Sequence, residues 1–230
     1  MKKLLLFLLL LIPFSVLAES YTFEDLTITL EDSDWIVFTK DNIDGNPAIE
    51  EQKINIDTLK DLFNNKNVYL DANIFDSVNP AENVELIVGI SEANSRYKLH
   101  NYSKRRLKNI EKESIKDYTN YNLIEHDIYS NNDYKYIRLY YEDKFVYIID
   151  YNTVINGKTY TIKCQKGTEF NDTDKKNLEH IIDTIKYEYK EEYEVKPPLL
   201  EPIERIIVWG VIGGLIGGVT SLIMRRKMNR

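Results

Sequence analysis

The chain has 230 residues, of which 43% are hydrophobic and 29% charged, with a formal net charge of −7 at pH 7. Residues 19–203 hold 23 of the 30 basic and 36 of the 37 acidic residues, a formal charge of −13 that argues against nucleic acid as a partner. One cysteine, Cys164, excludes an internal disulfide, and its strand-like surroundings predict a small buried side chain.

The N-terminus has the features of a secretory signal peptide. Lys2 and Lys3 precede an apolar run at residues 4–12, and Val16-Leu17-Ala18 supplies small residues where a signal peptidase would cut. An uncleaved anchor is the alternative, but the run is short of the ~20 residues that span a membrane. We therefore predict a signal peptide at residues 1–18.

Alternating hydrophobicity predicts strands in the first half of the exposed domain. We expect residues 21–30 to pair with residues 35–39 as a hairpin, followed by a loop at residues 40–53. Asn55 or Asp57 should cap a short helix whose apolar side carries Leu59, Leu62 and Phe63. Two further strands are predicted at residues 68–75 and 84–90.

The second half is predicted to begin with a helix at residues 103–118, capped by Ser103. Strands follow at residues 121–129, 134–141, 145–151 and 160–165, the last entered through the hairpin signal Asn156-Gly157. Asp172 or Thr173 should cap a final helix with Leu178, Ile181, Ile182 and Ile185 on one side. Short turns between consecutive strands predict an α+β domain, an antiparallel sheet with packed helices, over residues 19–187.

The C-terminal part has the composition of a membrane anchor. Residues 188–203 are charged and then proline-rich, which predicts an extended stalk. A transmembrane helix is predicted at residues 204–224, because residues 206–224 contain no charge and would span about 28 Å as a helix. Arg225, Arg226 and Lys227 in the tail of residues 225–230 should remain in the cytoplasm, which places the N-terminal domain outside the cell membrane.

Small residues occupy one side of this predicted transmembrane helix. At about 100° per residue, one stripe collects Gly210, Gly213, Gly214, Gly217, Gly218 and Ser221. Such spacing lets two helix backbones approach closely in lipid, so we expect a packing face for a second copy or another membrane protein. The alternative is that glycine is simply commoner in membrane helices.

The order of elements resembles the PsbP-like family over residues 20–188. The residues that carry the resemblance are Tyr21-Thr22-Phe23, Asp34-Trp35, the strand at 147–151, the hairpin at 156–162 and a closing helix ending at Ile185-Lys186-Tyr187. The resemblance implies an α/β/α sandwich around an antiparallel sheet, with a non-catalytic accessory or binding role beside membrane complexes. It supplies no functional residue for this chain.

Metal and nucleophile motifs are sparse. His100, His126 and His180 lack recognised zinc spacing, no G-x-S-x-G motif occurs, and we predict neither a cofactor nor a catalytic residue. Residues 40–51 place Asn42, Asp44, Gly45 and Glu51 at calcium-loop positions, but Lys40 occupies the first position. A polar loop is the simpler interpretation.

Two features of the sequence are candidate binding sites. Lys104, Arg105, Arg106 and Lys108 form a basic cluster, interpreted either as a solvated helix face paired with Glu111 and Glu113 or as a docking patch for teichoic acid, lipid headgroups or an acidic partner. Tyr134, Tyr136, Tyr140 and Tyr141 either pack in the sheet or line a carbohydrate or peptide groove.

These observations predict a membrane-anchored, extracytoplasmic binding or accessory domain of a bacterial envelope without catalytic activity. The alternative is an envelope hydrolase that uses a carboxylate pair or a histidine in a cleft at the top of the sheet. An open cleft with converging Asp, Glu or His side chains would favour the enzyme, and a filled sandwich would favour the binding domain.

Overall fold

The computed structural model describes residues 18–31, 34–93, 98–131 and 133–190. Ten strands form two antiparallel sheets, a seven-stranded sheet in the order β3-β4-β5-β9-β8-β7-β6 and a three-stranded sheet in the order β1-β2-β10. The strands are β1 Glu19–Phe23, β2 Leu26–Leu30, β3 Ile36–Phe38, β4 Val68–Ile74, β5 Val84–Glu92, β6 Asn122–Ser130, β7 Lys135–Asp143, β8 Val146–Ile155, β9 Lys158–Lys166 and β10 Lys186–Tyr187. The helices are α1 Pro47–Glu51, α2 Ile56–Asn65, α3 Lys104–Ser114 and α4 Asp172–Thr184.

Layers pack on both faces of the large sheet. On one face, the three-stranded sheet and α4 enclose a core that includes Leu26, Ile28 and Ile182, all fully buried. On the other face, α3 covers one apolar cluster around Leu107, and α1 and α2 cover another around Phe38. The predicted α+β fold with a large antiparallel sheet and packed helices is therefore confirmed.

The prediction of one strand at residues 21–30 is wrong, because the chain turns back within it. Glu24 has a φ of 52°, in the left-handed region, and the turn at Glu24 and Asp25 places β1 and β2 side by side. Asp25 is of a residue type that is common in turns. Tyr21 then lies opposite Ile28.

The predicted pairing of residues 35–39 with the first strand is also wrong. β3 pairs with β4, with Val37 opposite Ala72, in the other sheet. Phe38 is fully buried there between α2 and the large sheet. Local spacing contains no information about a pairing with a strand that follows two helices later in the chain.

The loop predicted at residues 40–53 contains the short helix α1. Asn46 caps it by accepting a hydrogen bond from the backbone N–H of Ala48, and Pro47 occupies the first helical position, which its fixed φ favours. The helix predicted next is confirmed as α2. Asn55 is its cap, and Leu59, Leu62 and Phe63 are buried as expected.

The two longer helices agree with prediction except at their ends. Ser103 caps α3, which changes to a 3-10 turn over Ile115–Tyr118. Asn171, rather than Asp172 or Thr173, caps α4, where its side chain and that of Asp174 form a reciprocal capping box. The helix ends at Thr184, so the expected helical Lys186 and Tyr187 instead form β10.

Several predicted segments lie outside the described residues. These are nearly all of the signal peptide at 1–18, most of the stalk at 188–203, the transmembrane helix at 204–224 with its glycine face, and the basic tail at 225–230. Within the described ranges, no helix combines the length and apolar character needed to cross a bilayer.

Candidate functional site

A groove of about 420 Å³ lies between α3 and the outer strands β6 and β7. We call it the lysine groove, after the three lysines among its lining residues. The lining consists of Lys104, Leu107, Lys108, Glu111, Asp127, Ile128, Ser130 and Lys135.

The helix geometry explains how two of these lysines reach the groove. Lys104 and Lys108 are four residues apart and therefore share one side of α3. Leu107, 3% exposed, packs into the apolar cluster on this face of the sheet and fixes the helix there. Lys135 comes from the first position of β7, across the groove.

Both acidic lining residues have basic partners. Glu111 Oε1 lies 2.7 Å from Nδ1 of His126. Asp127 accepts two hydrogen bonds of 2.8 Å from Nε and Nη2 of Arg138, a bidentate pair. Within the described residues, neither Lys104 nor Lys108 forms an ion pair, and with Lys135 they give the groove three ammonium groups beside its two acidic side chains.

Lys135 is oriented by the loop before α3. Its Nζ donates a 3.0 Å hydrogen bond to the backbone carbonyl of His100. Partial burial lowers the pKa of His100, and the positive charge of Lys135 lowers it further. His100 is therefore the neutral imidazole at pH 7, and the positive charge at this end of the groove belongs to Lys135.

The predicted basic cluster divides between two environments. Lys104 and Lys108 line the groove, whereas the guanidinium carbon of Arg106 lies 4.9 Å from the centre of the Tyr102 ring. The expected pairing of the cluster with Glu111 and Glu113 is absent from the described contacts, since Glu111 contacts His126 and Glu113 pairs with Lys116. Sequence reasoning missed Lys135, which only the strand order brings to α3.

A second polar group lies inside the protein, on the face of the large sheet that also carries α3. We call Asp71, Glu85, Asp150, Lys163 and Gln165 the buried polar stripe, which crosses strands β4, β5, β9 and β8 between the two apolar clusters. All five residues are at most 6% exposed.

One hydrogen bond and one longer ion pair lie within this stripe. Gln165 Nε2 donates a 2.5 Å hydrogen bond to Oε2 of Glu85, and Lys163 Nζ lies 3.9 Å from Oδ1 of Asp150. Burial raises the pKa of Asp71 to about 7, and burial together with the nearby Asp71 raises that of Glu85 well above its usual range. Burial also raises the pKa of Asp150.

The stripe contains the carboxylates that a hydrolase would need, but its setting differs from the predicted cleft. Its side chains are enclosed in the sandwich, whereas the groove at the surface is lined by lysines and paired acids. His126 and His180 are not part of the stripe. His126 contacts Glu111, and Nε2 of His180 lies 2.9 Å from Oε2 of Glu31. The arrangement among the described residues therefore supports ligand binding at the groove more than hydrolysis in a cleft.

The remaining predicted sites have structural roles. Asn42 stabilises its loop by donating a hydrogen bond to the carbonyl of Val37, and Asp44 pairs with Lys60. No group of three or more His, Cys, Asp or Glu side chains suited to a metal ion occurs in the described part of the chain. Cys164 is buried as expected. The four tyrosines that could have lined a carbohydrate or peptide groove are all buried: Tyr134, Tyr136, Tyr140 and Tyr141.

Comparison with known proteins gives a likeness of fold. No protein-family model and no curated protein matches the chain. Among solved structures, the chain is similar to the solution structure of cyanobacterial PsbP (CyanoP) from Synechocystis sp. PCC 6803, at 13% sequence identity and a TM-score of 0.46. The match covers 77% of this chain and 95% of that one. This is the family that the sequence resembles, and at such identity the similarity carries no ligand, partner or site residue onto this chain.

Proposed function

We propose that the protein is a single-pass, membrane-anchored binding module whose domain acts outside the cell and binds an anionic envelope component in the lysine groove. The proposal assigns no catalytic role. The signal-like residues 1–18, the uncharged residues 206–224 and the basic tail support the topology.

One observation carries the binding role. On a domain with a formal charge of −13, Lys104, Lys108 and Lys135 line one groove from a helix and a strand, while its two acidic side chains contact His126 and Arg138. An anionic group bound there gains attraction from three cations, and Leu107 and Ile128 offer apolar contact beside it. Phosphodiester polymers of the envelope have this chemistry.

Replacing Lys104 and Lys108 together with glutamine should weaken binding of soluble polyglycerol phosphate by about tenfold or more, since each charge-assisted contact contributes on the order of 1 kcal/mol. Isothermal titration at low and high salt measures the effect, and binding by the native chain should weaken as salt rises. Lys112→Gln, on an exposed part of α3 outside the groove lining, is the matched control. Equal affinity of the double variant and the control would contradict the assignment.

The predicted topology is tested in intact cells. A tag after Arg230 should resist protease added outside the cell, whereas a tag inserted at the exposed Val78 should be digested. Recovery of the full-length chain, with residues 1–18 attached, from the soluble cytosol would refute the anchored arrangement.

Gly214→Leu should reduce lateral association of the transmembrane segment, because the larger side chain would keep two helix backbones apart. A bilayer association reporter fused to residues 204–224 measures this change. Val219→Leu, on the opposite side of the predicted helix, should leave the signal unaltered. An unchanged signal for Gly214→Leu would leave the segment as a plain anchor.

A further inference from the structure

Lys163 and Asp150 are buried side by side in the centre of the large sheet. They are direct partners on the antiparallel strands β9 and β8. Their side chains are 0% and 2% exposed, and Lys163 Nζ lies 3.9 Å from Asp150 Oδ1. An amine and a carboxyl group are thus held next to each other away from water.

The pair is poorly arranged as a salt bridge. A charge-assisted hydrogen bond between an ammonium and a carboxylate is about 2.7–2.9 Å long, so 3.9 Å provides Coulomb attraction without that bond. Asp150 Oδ1 accepts no hydrogen bond from the described residues. Because each buried ion costs several kcal/mol in lost hydration, removing both charges would relieve a large penalty.

We propose that Lys163 Nζ condenses with the side-chain carboxyl of Asp150, forming an amide bond that links β9 covalently to β8. The product is neutral and fits a site between apolar clusters better than two ions do. No external reagent is needed, since the step only releases water.

Two tyrosines activate the carboxyl group. Tyr141 and Tyr118 donate hydrogen bonds of 2.9 and 3.3 Å to Asp150 Oδ2. When Nζ attacks the carbonyl carbon, negative charge develops on Oδ2, and these two hydroxyl groups are already directed at it. Burial raises the pKa of Asp150, which favours the uncharged, electrophilic carboxyl.

We assign the proton transfers to Glu85. It lies on β5 opposite Gln165, two residues along β9 from Lys163, so the two side chains are diagonal neighbours on the same face. Gln165 fixes the Glu85 carboxyl through the 2.5 Å hydrogen bond. The raised pKa of Glu85, due first to burial, keeps a proton available there.

The reaction balances within these residues. The ion pair first becomes a neutral amine and a neutral carboxyl by moving one proton from Nζ to the Asp150 carboxyl. The Nζ lone pair then bonds to Cγ, and the bond from Cγ to Oδ1 breaks. Glu85 gives its proton to the departing Oδ1 hydroxyl and takes one from Nζ, so one amide and one water result and Glu85 is restored.

The bond leaves a distinct product after digestion of the denatured full-length chain with trypsin. Asp150 lies in the peptide 145–158 and Lys163 in 159–166, because an acylated Lys163 resists cleavage. Mass spectrometry should find these peptides joined, at a mass lower by one water than their sum. Recovery of both segments separate and unmodified, with cleavage at Lys163, would overturn the proposal.

Substitutions test which residues form the bond and which residue transfers the protons. Lys163→Arg and Asp150→Ala should abolish the joined species, whereas Lys166→Arg, another buried basic residue of β9 that pairs with Glu82 and Asp174, should retain it. Glu85→Gln keeps the shape of the side chain and should slow condensation at least tenfold in a time course after refolding. An unchanged rate in Glu85→Gln would remove Glu85 from the mechanism.

Discussion

The Asp71→Asn variant should be more stable than the native chain above neutral pH and nearly as stable as it below pH 4. Burial raises the pKa of Asp71 from 3.8 to about 7, so the folded protein holds this proton more tightly than the unfolded chain. Between those two values the folded state binds more protons, and stability falls as pH rises. Above pH 7 the cost is on the order of 4 kcal/mol, at about 1.4 kcal/mol per pH unit.

Asparagine removes this cost because it stays neutral and its side-chain oxygen can still accept the 2.6 Å hydrogen bond from Asn73. Chemical unfolding of the full chain across this pH range measures the difference. Asp76→Asn is the control, and it should lower stability at neutral pH instead of raising it. The backbone N–H groups of Asn79 and Val78 lower the pKa of Asp76, so its charged form stabilises the folded state. Parallel pH profiles for native and Asp71→Asn proteins would show that Asp71 does not titrate as described.

Leu86→Ala should destabilise the domain by about 2–5 kcal/mol, the range for a large aliphatic side chain removed from a packed core. Leu86 is fully buried on β5, with Ala72 and Cys164 as its neighbours on the flanking strands. Its loss leaves a cavity that the rigid centre of a seven-stranded sheet cannot readily fill.

The shift in denaturation midpoint measures the loss of stability. Val78→Ala is the matched control because Val78 is 90% exposed, and it should change the free energy of unfolding by no more than about 0.5 kcal/mol. A loss below about 1 kcal/mol for Leu86→Ala would mean that this core is loosely packed.

Local sequence patterns predicted most of the helices and strands but few of the strand pairings. Asn156-Gly157 identified the hairpin between β8 and β9, and apolar spacing identified α2 and α4, because turn geometry and helix periodicity are short-range properties. The pairing of β3 with β4 was missed since it depends on where Phe38 is buried.

The candidate sites show the same division. Lys104 and Lys108 belong to the basic cluster predicted from the sequence, whereas Lys135 joins them only through the order of strands in the sheet. Asp150 and Lys163 lie within two predicted strands, and no motif in the sequence singles them out. Their meeting depends on strand register and on packing over both faces of the sheet, neither of which one sequence displays.

The strand β10 lies where a mechanical load on the proposed membrane anchor would enter the domain. Its two residues pair with β2, and Tyr187 is wedged between the rings of Tyr134 and Tyr160, each with its centroid 4.8 Å away. In the proposed anchored arrangement, tension from the C-terminal side would load these contacts together with the hydrogen bonds that join Asn156, in the turn between β8 and β9, to Glu188 and Lys190. The small sheet and the hairpin of the main sheet would therefore share a pull along the chain.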